Sequence, residues 1–378
     1  MQSFTAEQVD RARRYHRPLY LATLISTGID LALLALLTFG PLGDRLYATT
    51  DGWPWWGRAT TFALLVVALT SVVGWPVSYW AGYVHEHAWG FSTQTRGGWL
   101  VDRLKGLAVG LVIAGAALAG FVAAAHWWPT WWPAIVATAA AALVLLLGLV
   151  APLVLEPLFN RFQPLEDRAL ADDLQALADR AGVPVREVLV ADASRRTKKV
   201  NAYVSGLGRT RRVVVYDTLL DQADRRELRL VVAHELGHRR KRHVAQGTIL
   251  GMAGAAVYIV LAWALLESGS VRSAIGADGA GDPRVIPFLL LLGSVLGLLS
   301  SPLGSALSRH WEREADGFSL ELTGDRDAFV STHRRLALSN LSDLDPPPAA
   351  YVMWFGHPTP PERIASATGS HLTSPALA

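Results

Sequence analysis

Two histidines and a glutamate occur at metal-binding spacing in the segment Val231-Val-Ala-His-Glu-Leu-Gly-His238. On a helix, a spacing of four residues places His234 and His238 one turn apart on the same face, where both imidazoles can bind one zinc ion. Glu235 lies beside them, where its carboxylate can accept a proton from a metal-bound water molecule. The apolar residues before His234 bury the helix in a drier environment. The pattern predicts a hydrolytic zinc site rather than two surface histidines.

A catalytic zinc usually takes three protein ligands and keeps one position open. The best third ligand lies in residues 308–316, directly after the last apolar stretch of the chain. Glu312 and Asp316 are one helical turn apart there, so one can bind the metal while the other accepts a hydrogen bond from a ligand imidazole. His310 competes as the third ligand, because the spacing alone does not exclude it.

Two nearby groups are not counted as ligands. His243 follows His238 by five residues, and a continuous helix would turn it to the opposite side from His234. Glu314 is expected to point into solvent. The chain contains no Cys, so any metal must be held by His, Asp or Glu.

The elements around these residues include long apolar segments. The chain has 378 residues, of which 51% are hydrophobic and 18% charged, against roughly 25% charged residues in an ordinary soluble domain. Six stretches are long enough to cross a hydrocarbon core about 30 Å thick: residues 19–39, 60–83, 107–125, 134–155, 245–266 and 285–307. These predict a predominantly α-helical, polytopic membrane protein with about six transmembrane helices.

The distribution of Lys and Arg predicts the orientation, since cytoplasmic loops retain positive charge. Residues 157–244 hold 18 of the 35 Lys and Arg residues, and four Arg precede the first apolar stretch. Both termini and the hydrophilic segment are therefore predicted to be cytoplasmic, in a multi-pass protein of the cell (inner) membrane. These loops and the lipid bilayer account for the net charge of +3, so no nucleic-acid partner is predicted.

Two carboxylates lie at or near membrane depth, where ionisable groups are costly. Asp30 falls within the first apolar stretch and Glu156 follows the fourth. Each is expected either to form an ion pair or helix-end hydrogen bond, or to line a cavity.

The hydrophilic segment predicts a small α+β metalloprotease domain. Apolar residues at helical spacing predict a helix over residues 165–181, and β-branched runs predict strands over 185–191 and 211–216. The glycines at 206 and 208 predict a hairpin over 201–216, and the helix with the histidines is expected to begin near Asp224. A further helix is expected over residues 311–340.

Four regions follow from this pattern. They are membrane helices 1–4 (residues 1–156), the catalytic segment (157–244), membrane helices 5 and 6 (245–308), and a C-terminal cytoplasmic segment with the third ligand and a flexible tail (309–378).

The sequence resembles the type I CAAX prenyl endopeptidase family, integral-membrane zinc metalloproteases that cleave after a C-terminal isoprenylated cysteine. The resemblance covers nearly the whole chain and rests on several motifs in the family's order. They are residues 86–95, 157–165 and 194–195, Asn201-Ala-Tyr203, residues 213–220, the HELGH core, Ser308-Arg with Glu312 and Ala315-Asp316, and Gly356-His-Pro358 with Glu362-Arg363.

The resemblance implies a role for each matching residue. One zinc ion would be bound by His234, His238 and Glu312, with Glu235 as general base and Asp316 as the partner of a ligand. Asn201, Ala202 and Tyr203 would form part of an edge strand along which a peptide lies, which agrees with the predicted hairpin because an extended peptide can pair with an exposed strand. His357 and Arg363 would stabilise the charged intermediate or place the helix.

Two departures from the family pattern stand out. The family has seven membrane helices around a large chamber, whereas six are predicted here, with the family's first helix missing. The Ala-rich, Arg-rich, Cys-free composition is typical of bacteria, which generally lack protein prenylation.

The predicted function is a membrane-embedded zinc metalloendopeptidase acting on a peptide or protein substrate, prenylated or membrane-associated. One alternative is a bacterial membrane-protein quality-control metalloprotease of the heat-shock type, which shares the HExxH core. The other is a non-catalytic scaffold or a transporter, although a structural zinc site has no need for the carboxylate of Glu235.

Overall fold

The structure is a computed structural model that describes residues 4–206 and 208–369. Its described part is mainly helical, with one small sheet. The α-helices are α1 (Ala6–Phe39), α2 (Pro41–Ala48), α3 (Trp55–Val73), α4 (Trp75–Tyr79), α5 (Glu86–Ala88), α6 (Arg96–Trp127), α7 (Trp132–Val150), α8 (Glu156–Phe159), α9 (Arg168–Arg180), α10 (Asp217–Leu220), α11 (Arg225–Arg240), α12 (His243–Glu267), α13 (Gly269–Ala274), α14 (Val285–Thr323), α15 (Arg326–Ser339), α16 (Pro348–Trp354) and α17 (Pro360–Thr368).

Six helical segments of residues 4–206 and 208–369 are long and apolar enough to cross a bilayer. They are α1, α3, α6, α12, α14 and the segment Trp132–Phe159, in which a π-helical turn joins α7 to α8. Each overlaps one predicted stretch, which confirms the predicted polytopic helical fold. The second stretch is divided, because α3 ends before Gly74 and the chain continues through α4 and a π-helical turn at Trp80–His85.

The membrane helices pack around a shared apolar core. Phe62 of α3, Phe121 of α6, Trp132 of α7, Ile259 of α12 and Ile286 of α14 are each at most 5% exposed within it. Longer parts of the same helices leave apolar side chains exposed, as expected for surfaces that face lipid.

The two membrane-depth carboxylates have different environments. Glu156 accepts hydrogen bonds from Ser205 Oγ (2.8 Å) and Tyr203 Oη (3.3 Å) and pairs with Arg212 (3.4 Å), so the ion-pair alternative holds for Glu156. Asp30 instead lines a cavity of about 740 Å³ together with Ser and Thr side chains, so the cavity alternative holds there.

A four-stranded sheet carries the predicted hairpin. The strands are β1 (Phe162–Pro164), β2 (Glu187–Ala191), β3 (Ala202–Ser205) and β4 (Arg212–Tyr216), in the order β1-β2-β4-β3. β4 pairs with β2 in parallel and with β3 in antiparallel. The hairpin of residues 201–216 is thereby confirmed, while β1 was not predicted because three residues ending in Pro give little periodic signal.

Helices cover this sheet and form a second core. Leu174 and Leu177 of α9, Val213 and Val215 of β4, and Leu236 of α11 are fully buried in it. The predicted helix over 165–181 is present as α9, with its start fixed by Asp167, whose side chain accepts a hydrogen bond from the backbone of Leu170.

The expected helix over residues 311–340 was wrong. α14 runs 39 residues from Val285 to Thr323 and ends at Gly324, which has a φ of 67°. Asp325 then caps α15 by accepting a hydrogen bond from Ala328 N. Gly followed by Asp is a helix stop and start signal, so the sequence contained the information needed to divide this segment.

Candidate active site

Local sequence fixes where the helix with the two histidines begins. Asp224 caps α11 by accepting a hydrogen bond from Glu227 N (2.9 Å), and Glu227 reciprocates through Asp224 N (3.2 Å). This capping box satisfies two donors that would otherwise lack partners. The predicted start near Asp224 is therefore confirmed.

Close packing of α11 on α14 brings the third acidic group to the histidines. Gly237 permits this contact, since a Cβ atom there would lie 3.1 Å from Ala315 Cα and 3.2 Å from Ala315 O. Any larger residue would have to push the two helices apart. Glu312, one turn before Ala315 on α14, is thereby held against His234 and His238.

The three side chains form what we call the metal cluster: His234, His238 and Glu312. The two Nε2 atoms are 3.2 Å apart, and each lies 3.2 Å from one carboxylate oxygen of Glu312. Ligand atoms on a tetrahedral zinc ion with bonds of about 2.0–2.1 Å are separated by about 3.3 Å. The spacing of the cluster therefore fits a single ion of that size.

The buried oxygen of Glu312 supports the same conclusion. Glu312 is 4% exposed, and its Oε2 accepts no hydrogen bond of acceptable geometry although imidazole nitrogens lie nearby. A buried carboxylate oxygen without a donor is costly. A cation bound between Oε2 and the two Nε2 atoms would remove that cost.

Asp316 and Arg363 support His234 on the side of its ring that faces away from the metal cluster. His234 Nδ1 lies 2.9 Å from Asp316 Oδ1, and Arg363 binds both oxygens of Asp316, with Nε 2.8 Å from Oδ2. Burial lowers the pKa of Arg363, but the charge of Asp316 outweighs burial, so the guanidinium has a raised pKa. The pair keeps an ionised carboxylate behind one imidazole, the usual support of a metal-bound histidine.

His357 lies on the other side of Glu312, in the loop between α16 and α17. Its Nδ1 is 2.8 Å from Glu312 Oε2, while 68% of its side chain remains exposed. His357 is therefore open to a ligand in a way that Arg363, at 14%, is not.

A cleft of about 730 Å³ opens over the metal cluster, which we call the active-site cleft. Glu235 lies on its floor with His234 and Glu312. Burial raises the pKa of Glu235, against the opposing effect of the two neighbouring histidines. The walls of the active-site cleft are largely apolar and include Leu19, Val231, Leu336, Trp354, Phe355 and Pro358.

The edge strand β3 lies beside this cleft. Asn201 O accepts a hydrogen bond from Tyr216 N (3.0 Å), so by the alternation of an antiparallel pair the backbone of Ala202 faces away from β4. Ala202 N donates to the side chain of Asn201 (2.9 Å), and Val204 O accepts from Arg239. The outward carbonyl of Ala202 remains for an added strand.

Two further residues of this region were missed by the sequence analysis. Asn340 binds the backbone of Val200 through its amide at 2.9 and 3.0 Å, so it holds the start of the edge strand. His333 is buried with its Nε2 3.8 Å from Asp316 Oδ1, and burial together with Arg363 lowers its pKa well below the usual value. No motif in the sequence around Asn340 or His333 indicates that either residue lies in the site.

His243 and Glu314 lie outside the metal cluster as expected, but the directions expected for their side chains were wrong. Arg242 has a φ of 61°, which ends α11 and turns His243 back toward His238, with their Nδ1 atoms 3.0 Å apart. Glu314 contacts His243 Nε2 at 3.0 Å instead of only solvent. His310, the competing ligand, is 61% exposed and lies 3.8 Å from Glu314, outside the metal cluster.

Comparison with known proteins decides the family. The model described as "Peptidase family M48" matches residues 164–371, more than half of the chain. The chain belongs to peptidase family M48. A second model, "CAAX prenyl protease N-terminal, five membrane helices", matches residues 1–161, where residues 4–161 of the structure contain four of the candidate spans.

Relatives of this M48 peptidase extend over most of its length. It is 32% identical over 317 residues to the metalloprotease YhfN of Bacillus subtilis, covering 81% of this chain and 72% of the relative. It is 29% identical over 325 residues to CAAX prenyl protease 1 of Saccharomyces cerevisiae, covering 82% and 72%. The crystal structure of S. mikatae Ste24p matches with a TM-score of 0.83 at 25% identity, covering 97% and 89%.

These likenesses confirm the resemblance, the fold class and the general function predicted from the sequence. The M48 peptidase is a multi-pass membrane metalloprotease like the CAAX-cleaving proteases.

Proposed function

We propose that this M48 peptidase is a zinc endopeptidase of the HExxH-plus-Glu type that cleaves prenylated or membrane-associated peptides. The observation that carries the proposal is the convergence of His234, His238 and Glu312 beside a cleft that is lined by His234, Glu312 and Glu235. His and carboxylate ligands with one open position are typical of catalytic zinc. A bound zinc ion would polarise the scissile carbonyl and make a water molecule more acidic.

Glu235 is assigned as the general base. Its carboxylate takes a proton from the attacking water and later gives it to the leaving amine, so it returns to its starting state after one turnover. Burial of Glu235 raises its pKa, which favours acceptance of the proton, and the leaving amine is basic enough to take it afterwards.

Asp316, Arg363 and His357 have supporting roles in this proposal. Asp316 fixes the orientation of His234, and Arg363 keeps Asp316 ionised and in place. His357 is exposed to the cleft, so its imidazole is assigned to stabilise negative charge on the substrate carbonyl oxygen as it develops. The structure thus supports a division of the two roles that the sequence left open.

The substrate is proposed to lie along Asn201, Ala202 and Tyr203. The outward carbonyl of Ala202 supplies an acceptor for strand addition, and the hydrogen bonds of Asn201 and Asn340 hold the edge strand β3. The apolar walls of the cleft suit a substrate segment with apolar side chains.

The placement of the four regions in the cell is also proposed. Residues 157–244 and 309–369 form the catalytic face, and the Lys and Arg of these segments favour the cytoplasmic side of the cell membrane. Residues 370–378, where a flexible tail was expected, lie outside the described residues.

Purified protein in detergent tests the proposal with a farnesylated CaaX peptide and the same peptide unprenylated, with products read by mass. We expect release of the terminal tripeptide from the prenylated form, and we expect Glu235→Gln to lower turnover by at least about 10²-fold while zinc content stays the same. Glu166→Gln, at an exposed position, is the matched control.

Other outcomes have definite meanings. Normal cleavage by Glu235→Gln would remove Glu235 as the base. Equal cleavage of both peptides, or of unfolded membrane proteins, would favour the quality-control alternative. His234→Ala is expected to lose zinc and activity together.

A further inference from the structure

His243 and Glu314 form a chain of contacts behind His238 that the proposed mechanism does not use. His238 Nδ1 lies 3.0 Å from His243 Nδ1, and His243 Nε2 lies 3.0 Å from Glu314 Oε2. His243 is only 3% exposed and stacks on Trp311, with ring centroids 5.3 Å apart and an interplanar angle of 12°. Its ring is therefore held by Trp311 on one face and by a partner at each nitrogen.

The backbone conformation of Arg242 brings His243 into contact with His238. A φ of 61° is uncommon for a residue with a side chain. This turn separates α11 from α12 and starts α12 at His243, which directs the imidazole back toward the preceding helix. Strained backbone of this kind persists where the surrounding structure requires it.

Hydrogen-bond chemistry fixes the direction of each proton in the chain. An ionised carboxylate can only accept, so His243 Nε2 donates to Glu314. The Nδ1 atom of a neutral His243 then accepts, and His238 Nδ1 must donate to it. The lone pair of His238 consequently lies on Nε2, the atom that faces Glu312 and His234.

We propose that His243 and Glu314 are positioning residues that hold His238 in its metal-binding tautomer and orientation. The inference rests on the proposed zinc site and deepens it. His234 receives the same support directly from Asp316, at 2.9 Å, whereas His238 receives it from Glu314 through one intervening imidazole. Both ligand imidazoles are thereby tied to a carboxylate on α14.

The test measures zinc affinity by competition with a chromophoric chelator, using the full-length protein in detergent. We expect His243→Asn and Glu314→Gln each to weaken zinc binding by about 10- to 100-fold, the usual effect of removing such a partner. We expect the double variant to be no weaker than His243→Asn alone, because Glu314 acts through His243. Glu321→Gln, exposed on the same helix, is the charge-matched control and keeps wild-type affinity.

A second measurement separates positioning from general stability. The melting temperature of the metal-free Glu314→Gln protein is expected to match that of the metal-free wild type, because Glu314 is partly exposed. Three results would each overturn the proposal. They are unchanged zinc affinity in Glu314→Gln, additive losses of affinity in the double variant, and a loss of stability in metal-free Glu314→Gln large enough to explain its loss of zinc affinity. His234→Ala that still binds zinc at wild-type affinity would instead overturn the zinc site itself.

Discussion

At the scale of residues, the candidate metal ligands are different residues from those proposed to act on the substrate. His234, His238 and Glu312 direct nitrogen and oxygen atoms at a common point, with separations of 3.2 Å. Glu235, His357 and Arg363 all border the cleft, but Arg363 is mostly buried by its contacts with Asp316, whereas His357 is exposed. The separation allows a catalytic residue to be altered while the ligands are kept.

His357→Gln tests the assignment of this histidine to charge stabilisation. We expect kcat to fall by about 10²-fold, as for loss of one donor to a developing oxyanion, with KM and zinc content nearly unchanged. Steady-state kinetics and metal analysis of the purified variant provide both quantities. Loss of zinc in proportion to activity would instead show that His357 acts by holding Glu312.

At the scale of elements, function depends on the contact between α11 and α14. The first helix carries two of the candidate ligands and the proposed base, and the second carries Glu312, Asp316 and Glu314. α14 extends well beyond its apolar part, so one continuous helix links the membrane region to the metal cluster. The closeness of the two helices at Gly237 sets the distance from the histidines to Glu312.

Gly237→Ala is expected to weaken both stability and zinc binding. Its Cβ would lie 3.1 Å from Ala315 Cα, and overpacking of this kind costs about 1–3 kcal/mol. Thermal unfolding and chelator competition measure the two effects. Gly317→Ala on α14 is the matched control, because nothing lies within 4 Å of its Cβ position and Ala favours the helix. Equal behaviour of the two variants would contradict the importance of this contact.

At the scale of the whole molecule, the active-site cleft lies where the membrane helices meet the segment that contains the sheet. Leu19 and Tyr20 of α1 line that cleft beside residues of α11, α14 and α15. A membrane helix therefore contributes directly to the wall of the proposed peptide site. This arrangement suits a substrate that is itself attached to the bilayer.

The cysteine-free chain permits a direct test of orientation. Single variants Asp172→Cys in α9 and Ser270→Cys in α13 place one exposed thiol in each of two regions. In intact spheroplasts, we expect a membrane-impermeant maleimide to label Ser270→Cys but to label Asp172→Cys only after permeabilisation. The reverse pattern would place the metal cluster on the outer side and overturn the cytoplasmic assignment.

Much of the molecule could be predicted from sequence because the signals are local. Apolar length identified the six membrane segments, the start of α11 was expected near Asp224, and a four-residue spacing put His234 beside His238. Segment length, helix-start residues and helical periodicity are all local properties of the chain. The resemblance to the CAAX protease family added the substrate role of the edge strand and the assignments of His357 and Arg363.

Tertiary structure decided what depends on two segments meeting or on a backbone that leaves its regular path. A continuous helix would turn His243 away from the site, but the left-handed turn at Arg242 returns it to His238. Asn340 reaches Val200 across 140 positions of the chain, and no local pattern encodes such a contact. Spacing left both Glu312 and His310 open as the third ligand, and the packing of α14 on Gly237 places Glu312 against the histidines. Spacing defines which side chains share a face, and only packing defines what that face contacts.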